Sequence, residues 1–219
     1  MKSNSIELVF ILDRSGSMGG MESDTIGGFN SMLVKQQAEP GECRLTTVLF
    51  DQRFEFLHDR INIKAVNPIT EAEYFVRGNT ALLDAIGNTI NKIDSVQKNT
   101  AAAYRADKVM FVITTDGMEN ASREFDYSQI KLMIEKQTNE NNWEFIFLGA
   151  NIDAAETAGR FGIDKNRSQN FHNDKEGIEL NYRAISEAVS SYRSAPASAK
   201  LSDDWSVKIN RDFIKRKKK

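Results

Sequence analysis

The chain has a single cysteine, Cys43, in 219 residues. It can close no disulfide on itself and build no thiolate cluster of the kind that holds zinc, and a reducing compartment fits that composition. Its two histidines, His58 and His172, lie far apart with no metal-ligand spacing, so they read as surface or strand-end residues and zinc is not expected. Nowhere do about 18 apolar residues run together, the length a membrane-spanning helix requires. Residues 1–18, MKSNSIELVFILDRSGSM, hold only a brief apolar run that ends in charged and polar residues rather than at a small-residue cleavage site. No signal peptide is expected on that ground, and a soluble, cytoplasmic protein is the expectation.

Charge of one sign is also scarce, since 29 Lys and Arg face 31 Asp and Glu for a formal net charge of −2. That near balance hides an asymmetry: residues 215–219, KRKKK, carry five positive charges and leave −7 on the remainder. An acidic body repels nucleic acid and anionic membranes, and terminal basic runs are ordinarily solvated, so neither is expected as a partner. With 40% hydrophobic residues the chain is long enough to bury one sizeable core. One domain is expected over residues 1–193. A linker, SAPASAK, and a basic tail follow over 194–219, where Trp205 and Phe213 could dock back or onto a partner.

Three short segments are strongly apolar and rich in β-branched or aromatic residues: 6–12, 109–115 and 143–148. They lack period-two alternation, as expected of parallel strands covered on both faces. Between them Leu82, Leu83, Ile86, Ile90, Ile93 and Val96 recur at helical spacing, as do Ile130, Met133, Ile134 and Gln137, giving helices with one apolar stripe. The runs RLTTVLF and RFEFLH are separated only by Asp51 and Gln52, too few residues for a crossover helix, which predicts a β-hairpin. Weaker strands are expected at 61–66 and 167–171, and a closing helix carries Ile178, Tyr182, Ile185, Val189 and Tyr192. Strand–helix alternation of this kind predicts an α/β fold: a doubly wound, mostly parallel sheet with one antiparallel edge strand and helices on both faces.

The informative motif is D-R-S-G-S, Asp13 to Ser17, which begins where the first buried strand stops. Doubly wound sheets place ligands outside the carboxyl ends of their strands, where this loop lies. Asp13, Ser15 and Ser17 alternate, so one tight loop can turn three oxygen-bearing side chains inward, with Gly16, Gly19 and Gly20 supplying backbone freedom. Mg²⁺ demands near-octahedral hard oxygen donors, and three do not suffice. Asp116 follows the second apolar strand as T-T-D-G, and Thr80, in R-G-N-T, precedes the Leu82 helix. All five residues fall at one edge of the expected sheet.

In these three segments the sequence resembles von Willebrand factor A-type domains, whose metal-ion-dependent adhesion site combines Asp-x-Ser-x-Ser with a later Thr and a later Asp-Gly. The resemblance extends at pattern level over residues 6–192. It implies a Rossmann-like fold and a divalent-ion site, Mg²⁺ with Mn²⁺ or Ca²⁺ as other candidates, formed by Asp13, Ser15, Ser17, Thr80 and Asp116. It implies that the serines and threonine bind the ion directly or through water and that the aspartates often act through water. It further implies a protein-binding module rather than an enzyme, in which a partner's Asp or Glu carboxylate completes the coordination. Some intracellular bacterial members work beside AAA+ ATPases; this chain has no P-loop, so such a partner would be a separate polypeptide.

Singly, each motif has a bland reading: a polar turn for residues 13–17, a helix cap for Thr80, a turn for Asp116 and Gly117. Their joint occurrence at strand and helix junctions favours the metal. Arg14, in a free position of the motif, reads as exposed and solvated. Asn151 and Asp153 could line the rim, although capping a helix from Ala154 explains Asp153 equally well, and Glu119 and Asn120 lie close to Asp116. The rival function is a Mg²⁺-dependent phosphate-ester hydrolase with Asp13 as nucleophile. Against it, haloacid dehalogenase-like phosphatases carry a second aspartate where this chain has Ser15. A dinucleotide-binding reading of G-S-M-G-G fails on spacing.

Overall fold

Parallel strands sandwiched between helices read as near-continuous apolar runs, and β1 (Ile6–Asp13) has all eight residues buried, six of them apolar from Ile6 and Leu8 to Leu12, with Glu7 and Asp13 as the charged exceptions. The structure, a computed structural model, describes residues 5–217. After β1 come α1 (Glu22–Ala38), β2 (Cys43–Phe50), β3 (Phe54–Asn62), α2 (Leu82–Asn99), β4 (Lys108–Thr115) and α3 (Tyr127–Asn141). The chain continues through β5 (Glu144–Gly149), α4 (Ala154–Arg160), β6 (Ser168–Asn170), α5 (Lys175–Ser194) and α6 (Val207–Lys217). The strands form one sheet in the order β3-β2-β1-β4-β5-β6, parallel except for β3, which runs antiparallel at one edge.

Alternate side chains of β1 feed two cores. Ile6, Leu8, Phe10 and Leu12 enter the core beneath α1 and α5, while Val9 and Ile11 enter the one beneath α2 and α3. In the first, Phe29 of α1 stands edge-on between Phe10 and Tyr182, with ring centroids 5.7 and 6.5 Å apart. Such pairs contribute about 0.5–1.5 kcal/mol each beyond their buried area. Local chemistry sets the helix starts: Asp126 and Gln129 form a reciprocal capping box on α3, and Asp174 caps α5 by accepting from Gly177 N at 2.8 Å.

Two expectations are corrected. No separate strand forms at 61–66: β3 itself runs on to Asn62, its ladder shifted where Arg60 takes a φ of 54°, and Ile63–Ala65 turn as a 3₁₀ segment. Asn62 Oδ1 accepts from Lys64 N there, which ends the extension. The last strand is also shorter than 167–171, spanning Ser168–Asn170. Beyond α5, the stretch 194–219 is helical over Val207–Lys217, and Leu201, Trp205 and Ile209 join the first core. Residues 1–4 of the N-terminal reading and residues 218–219 of the basic run lie outside the described residues. No described helix is long and apolar enough to cross a membrane.

Candidate metal centre

The strand order reverses between β1 and β4, which are parallel neighbours with Leu12 opposite Thr114. At such a switch point the following loops part in opposite directions and leave a crevice outside the carboxyl ends. Asp13 ends β1 and Asp116 follows β4, so both carboxylates open into it. Asp13 Oδ1 accepts from Ser15 N at 2.7 Å, which tightens the loop, and Oδ2 accepts from Thr115 Oγ1 at 2.6 Å, which ties the two strands. Ser15 Oγ lies 3.1 Å from Ser17 Oγ, and the Ser17 hydroxyl donates to Asp116 Oδ1.

Thr80 arrives on the loop between β3 and α2. Asn30 pins that loop through both amide atoms, to Ile69 N and O, and Tyr74 donates its hydroxyl to Asp13 O at 2.5 Å. Gly16 N donates to Gly78 O at 3.0 Å, joining the loop to the serine turn. A Cβ on Gly117 would sit 3.2 Å from Ser17 Oγ and 3.6 Å from Thr80 Oγ1, so both hydroxyls close on a position only glycine leaves open. The five residues selected from sequence are thus brought together, with Asp13, Ser15, Thr80 and Asp116 buried and Ser17 at the mouth.

Asp13 and Asp116 are each 2% exposed, and neither has an ion pair among the described residues. Buried charges are ordinarily paired or coordinate a metal. Burial pushes the Asp13 carboxyl up to about 6, against hydrogen bonds from Ser15 and Thr115, and the nearby Asp116 adds to the rise. Burial likewise raises Asp116, against the Ser17 hydrogen bond. A cation would relieve both. Two carboxylates and three hydroxyls form the hard, oxygen-only donor set that Mg²⁺ or Mn²⁺ accepts, so the residues present fit a divalent ion. Among the described residues no group of three or more His, Cys, Asp and Glu could hold a metal.

Arg14 is not exposed and solvated, as the sequence suggested, but 1% exposed. The alternation that turns Asp13 and Ser15 into the crevice turns Arg14 the other way. There Asp51 Oδ2 lies 3.0 Å from its Nε, Glu55 Oε1 lies 2.8 Å from its Nη1, and the Phe75 ring lies under its guanidinium. It braces the loop that carries Thr80. Of the other candidates, Asp153 caps α4 by accepting from Glu156 N, and Asn151 occupies a left-handed turn with φ 55°. Glu119 braces its own loop by accepting from the N–H groups of Ala121, Ser122 and Leu83. Asn120 Oδ1 accepts from Thr80 N at 2.9 Å and so holds a candidate ligand in place. His58 and His172 are half-buried and bond to Thr47 Oγ1 and Phe213 O.

Sequence reading missed Thr115, Tyr74 and Asn173. Asn173, between β6 and α5, donates from Nδ2 to Asp116 Oδ2 at 2.8 Å. Thr115 sits inside the quoted T-T-D-G and could have been noticed; Tyr74 and Asn173 carry no local signal.

No family model matches the chain, and no curated protein matches it in sequence. Solved structures do. The von Willebrand factor type A protein from Catenulispora acidiphila superposes with a TM-score of 0.59 at 13% identity, over 86% of this chain and 43% of that one. Proximal thread matrix protein 1 from the mussel byssus, with a zinc-occupied MIDAS motif, gives 0.59 at 11% identity, over 86% and 46%. The vWF domain of the type V pili tip protein Mfa5 from Porphyromonas gingivalis gives 0.58 at 12% identity, over 92% and 99%. The chain therefore has a von Willebrand factor A-type, Rossmann-like α/β fold, and it spans less than half the length of the first two proteins.

Proposed function

We propose that this chain is a divalent-metal-dependent protein-binding module. Asp13, Ser15, Ser17, Thr80 and Asp116 hold one ion, Mg²⁺ in the proposal, and an Asp or Glu carboxylate of a protein partner completes its coordination. The observation that carries the reading is the pair of buried carboxylates without a cation beside three convergent hydroxyls. The zinc-occupied MIDAS of the mussel protein supports a divalent ion on the same fold. When bound, the ion supplies a Lewis-acidic positive centre that neutral hydroxyls only partly offset, which favours an anionic oxygen.

The protein's own groups prepare that centre. Ser15 N and Thr115 Oγ1 donate to the two oxygens of Asp13 and so orient its carboxylate. Ser15, standing where haloacid dehalogenase-like phosphatases carry a second aspartate, supports a binding role over the phosphate-ester hydrolase. Asn120 and Asn173 hold Thr80 and Asp116. On its single cysteine the proposal extends to a cytoplasmic setting, and by family resemblance to a separate AAA+ ATPase as one partner class.

Calorimetric titration with Mn²⁺ and Mg²⁺ tests the site. The wild type should bind one equivalent, and Ser15→Ala/Ser17→Ala should bind at least about tenfold more weakly while unfolding at a similar temperature in EDTA. Equal binding by both proteins would make the site assignment wrong.

A further inference from the structure

Beside the oxygen cluster lies a second, polar concavity of about 680 Å³, walled by the β2–β3 turn, the residues flanking Thr80, and the loop after Asp116. It shares a peptide with the ion site. Asn79 and Ala81 line it while Thr80 between them faces the ion site, and Asn120 and Ala121 donate to Thr80 O at 3.0 and 3.2 Å. Ala81 N donates to Asp51 O at 2.7 Å, fixing the β2–β3 turn against the same wall.

The charges in this concavity are unequally engaged. Asp84 accepts from the N–H groups of Arg123, Glu124 and Phe125, and Glu124 accepts from Asn88 Nδ2. The guanidinium groups of Arg53 and Arg123, by contrast, have no ion pair or side-chain hydrogen bond among the described residues. Two planar, forked donors thus line one pocket beside acids that already accept from backbone and amide N–H groups, which leaves both guanidinium groups available to a carboxylate.

We propose that this pocket is a second acid-binding subsite, so that the partner is an acidic peptide segment presenting two carboxylates, one to the ion and one to Arg53 and Arg123. The proposal rests on the metal-dependent reading above and deepens it. The two unengaged arginines, rather than the net charge of the pocket, identify the occupant: the ion takes one acid, and the guanidinium groups recruit another at a fixed distance along the segment. Specificity then comes from the spacing of the two acids, since one carboxylate alone would distinguish few partners.

The test is an array of short synthetic peptides with a fixed central Asp, in which Glu is moved through the flanking positions of a neutral background, probed in Mg²⁺ and again in EDTA. One register of the second acid should raise retention about tenfold over the single-acid peptide, the effect of a charge-assisted hydrogen bond. Arg53→Glu/Arg123→Glu should lose that preference yet keep Mg²⁺-dependent capture of the single-acid peptide. Arg53→Gln/Arg123→Gln, which keeps polarity and bulk, should lose it too. If the wild type has no preferred register, or both variants retain it, the second subsite is overturned while the metal-dependent reading stands. If no peptide is captured in Mg²⁺ by the wild type, both are overturned.

Discussion

Asn173 donates to Asp116 Oδ2, and its own Oδ1 is buried with no hydrogen-bond partner among the described residues. Groups that orient metal ligands typically tune affinity 10–100-fold. Asn173→Ala should therefore bind Mn²⁺ about tenfold more weakly in calorimetry, with little change in Tm in EDTA; an unchanged Kd would refute the positioning role. Asp51 works on a different problem. Burial alone would raise its carboxyl, but hydrogen bonds from Arg77, Arg53 N and Arg14 outweigh that and hold it below the usual range. A lowered folded pKa means stability that is present above the ordinary carboxylate value, near 3.8, and lost as pH falls through the folded pKa. Asp51→Asn also strands much of the buried Arg14 charge, and breaking such pairs costs about 3–5 kcal/mol. Urea unfolding should show that loss at neutral pH and a shrinking difference from wild type in acid; a pH-independent gap would contradict the electrostatic account.

At the scale of elements, α1 packs against α5 more extensively than any other two of the described helices pack together. A Cβ on Gly28 would lie 2.2 Å from Tyr182 Cδ2, well inside contact distance, and Tyr182 in turn packs edge-on against Phe29. Gly28→Ala must push α5 outward or rotate a buried ring. Overpacking of this kind costs about 1–3 kcal/mol, which in a chain of this size lowers Tm by roughly 2–12 °C. Differential scanning calorimetry checks it, and an unchanged or raised Tm would mean the helices have slack that the packing does not reveal. Because α5 starts beside Asn173, the same variant also tests whether that displacement reaches the metal centre.

For the molecule as a whole, an ion that binds only the folded state must stabilise it. At a hundredfold excess of Mg²⁺ over Kd the gain is about 2.7 kcal/mol, so Tm should rise by roughly 5–11 °C and fall back on adding EDTA; a Tm indifferent to both would count against the centre. Much of this architecture is legible in the sequence. Continuous apolar runs mark β1, β4 and β5, because strands covered on both faces favour apolar residues on each, with Glu7, Lys108 and Glu144 the charged exceptions. Helical spacing marks α2 and α5, and the five candidate oxygen donors stand out because each follows or precedes such an element. Other features depended on where distant segments meet. Arg14 looks like a surface residue until Asp51, Glu55 and Phe75 enclose it. Tyr74 and Asn173 reach the site from elements 61 and 57 residues from the groups they bond. Residues 194–219 read as a linker and basic tail in which Trp205 and Phe213 could dock back, and which contacts would hold it is set by the fold: Arg216 pairs with Asp174 at the start of α5, and Trp205 and Ile209 enter the core. Periodicity records whether a position is covered, since burial of apolar area is local and non-directional. Which polar group answers which is directional and long-range, and only the folded chain decides it.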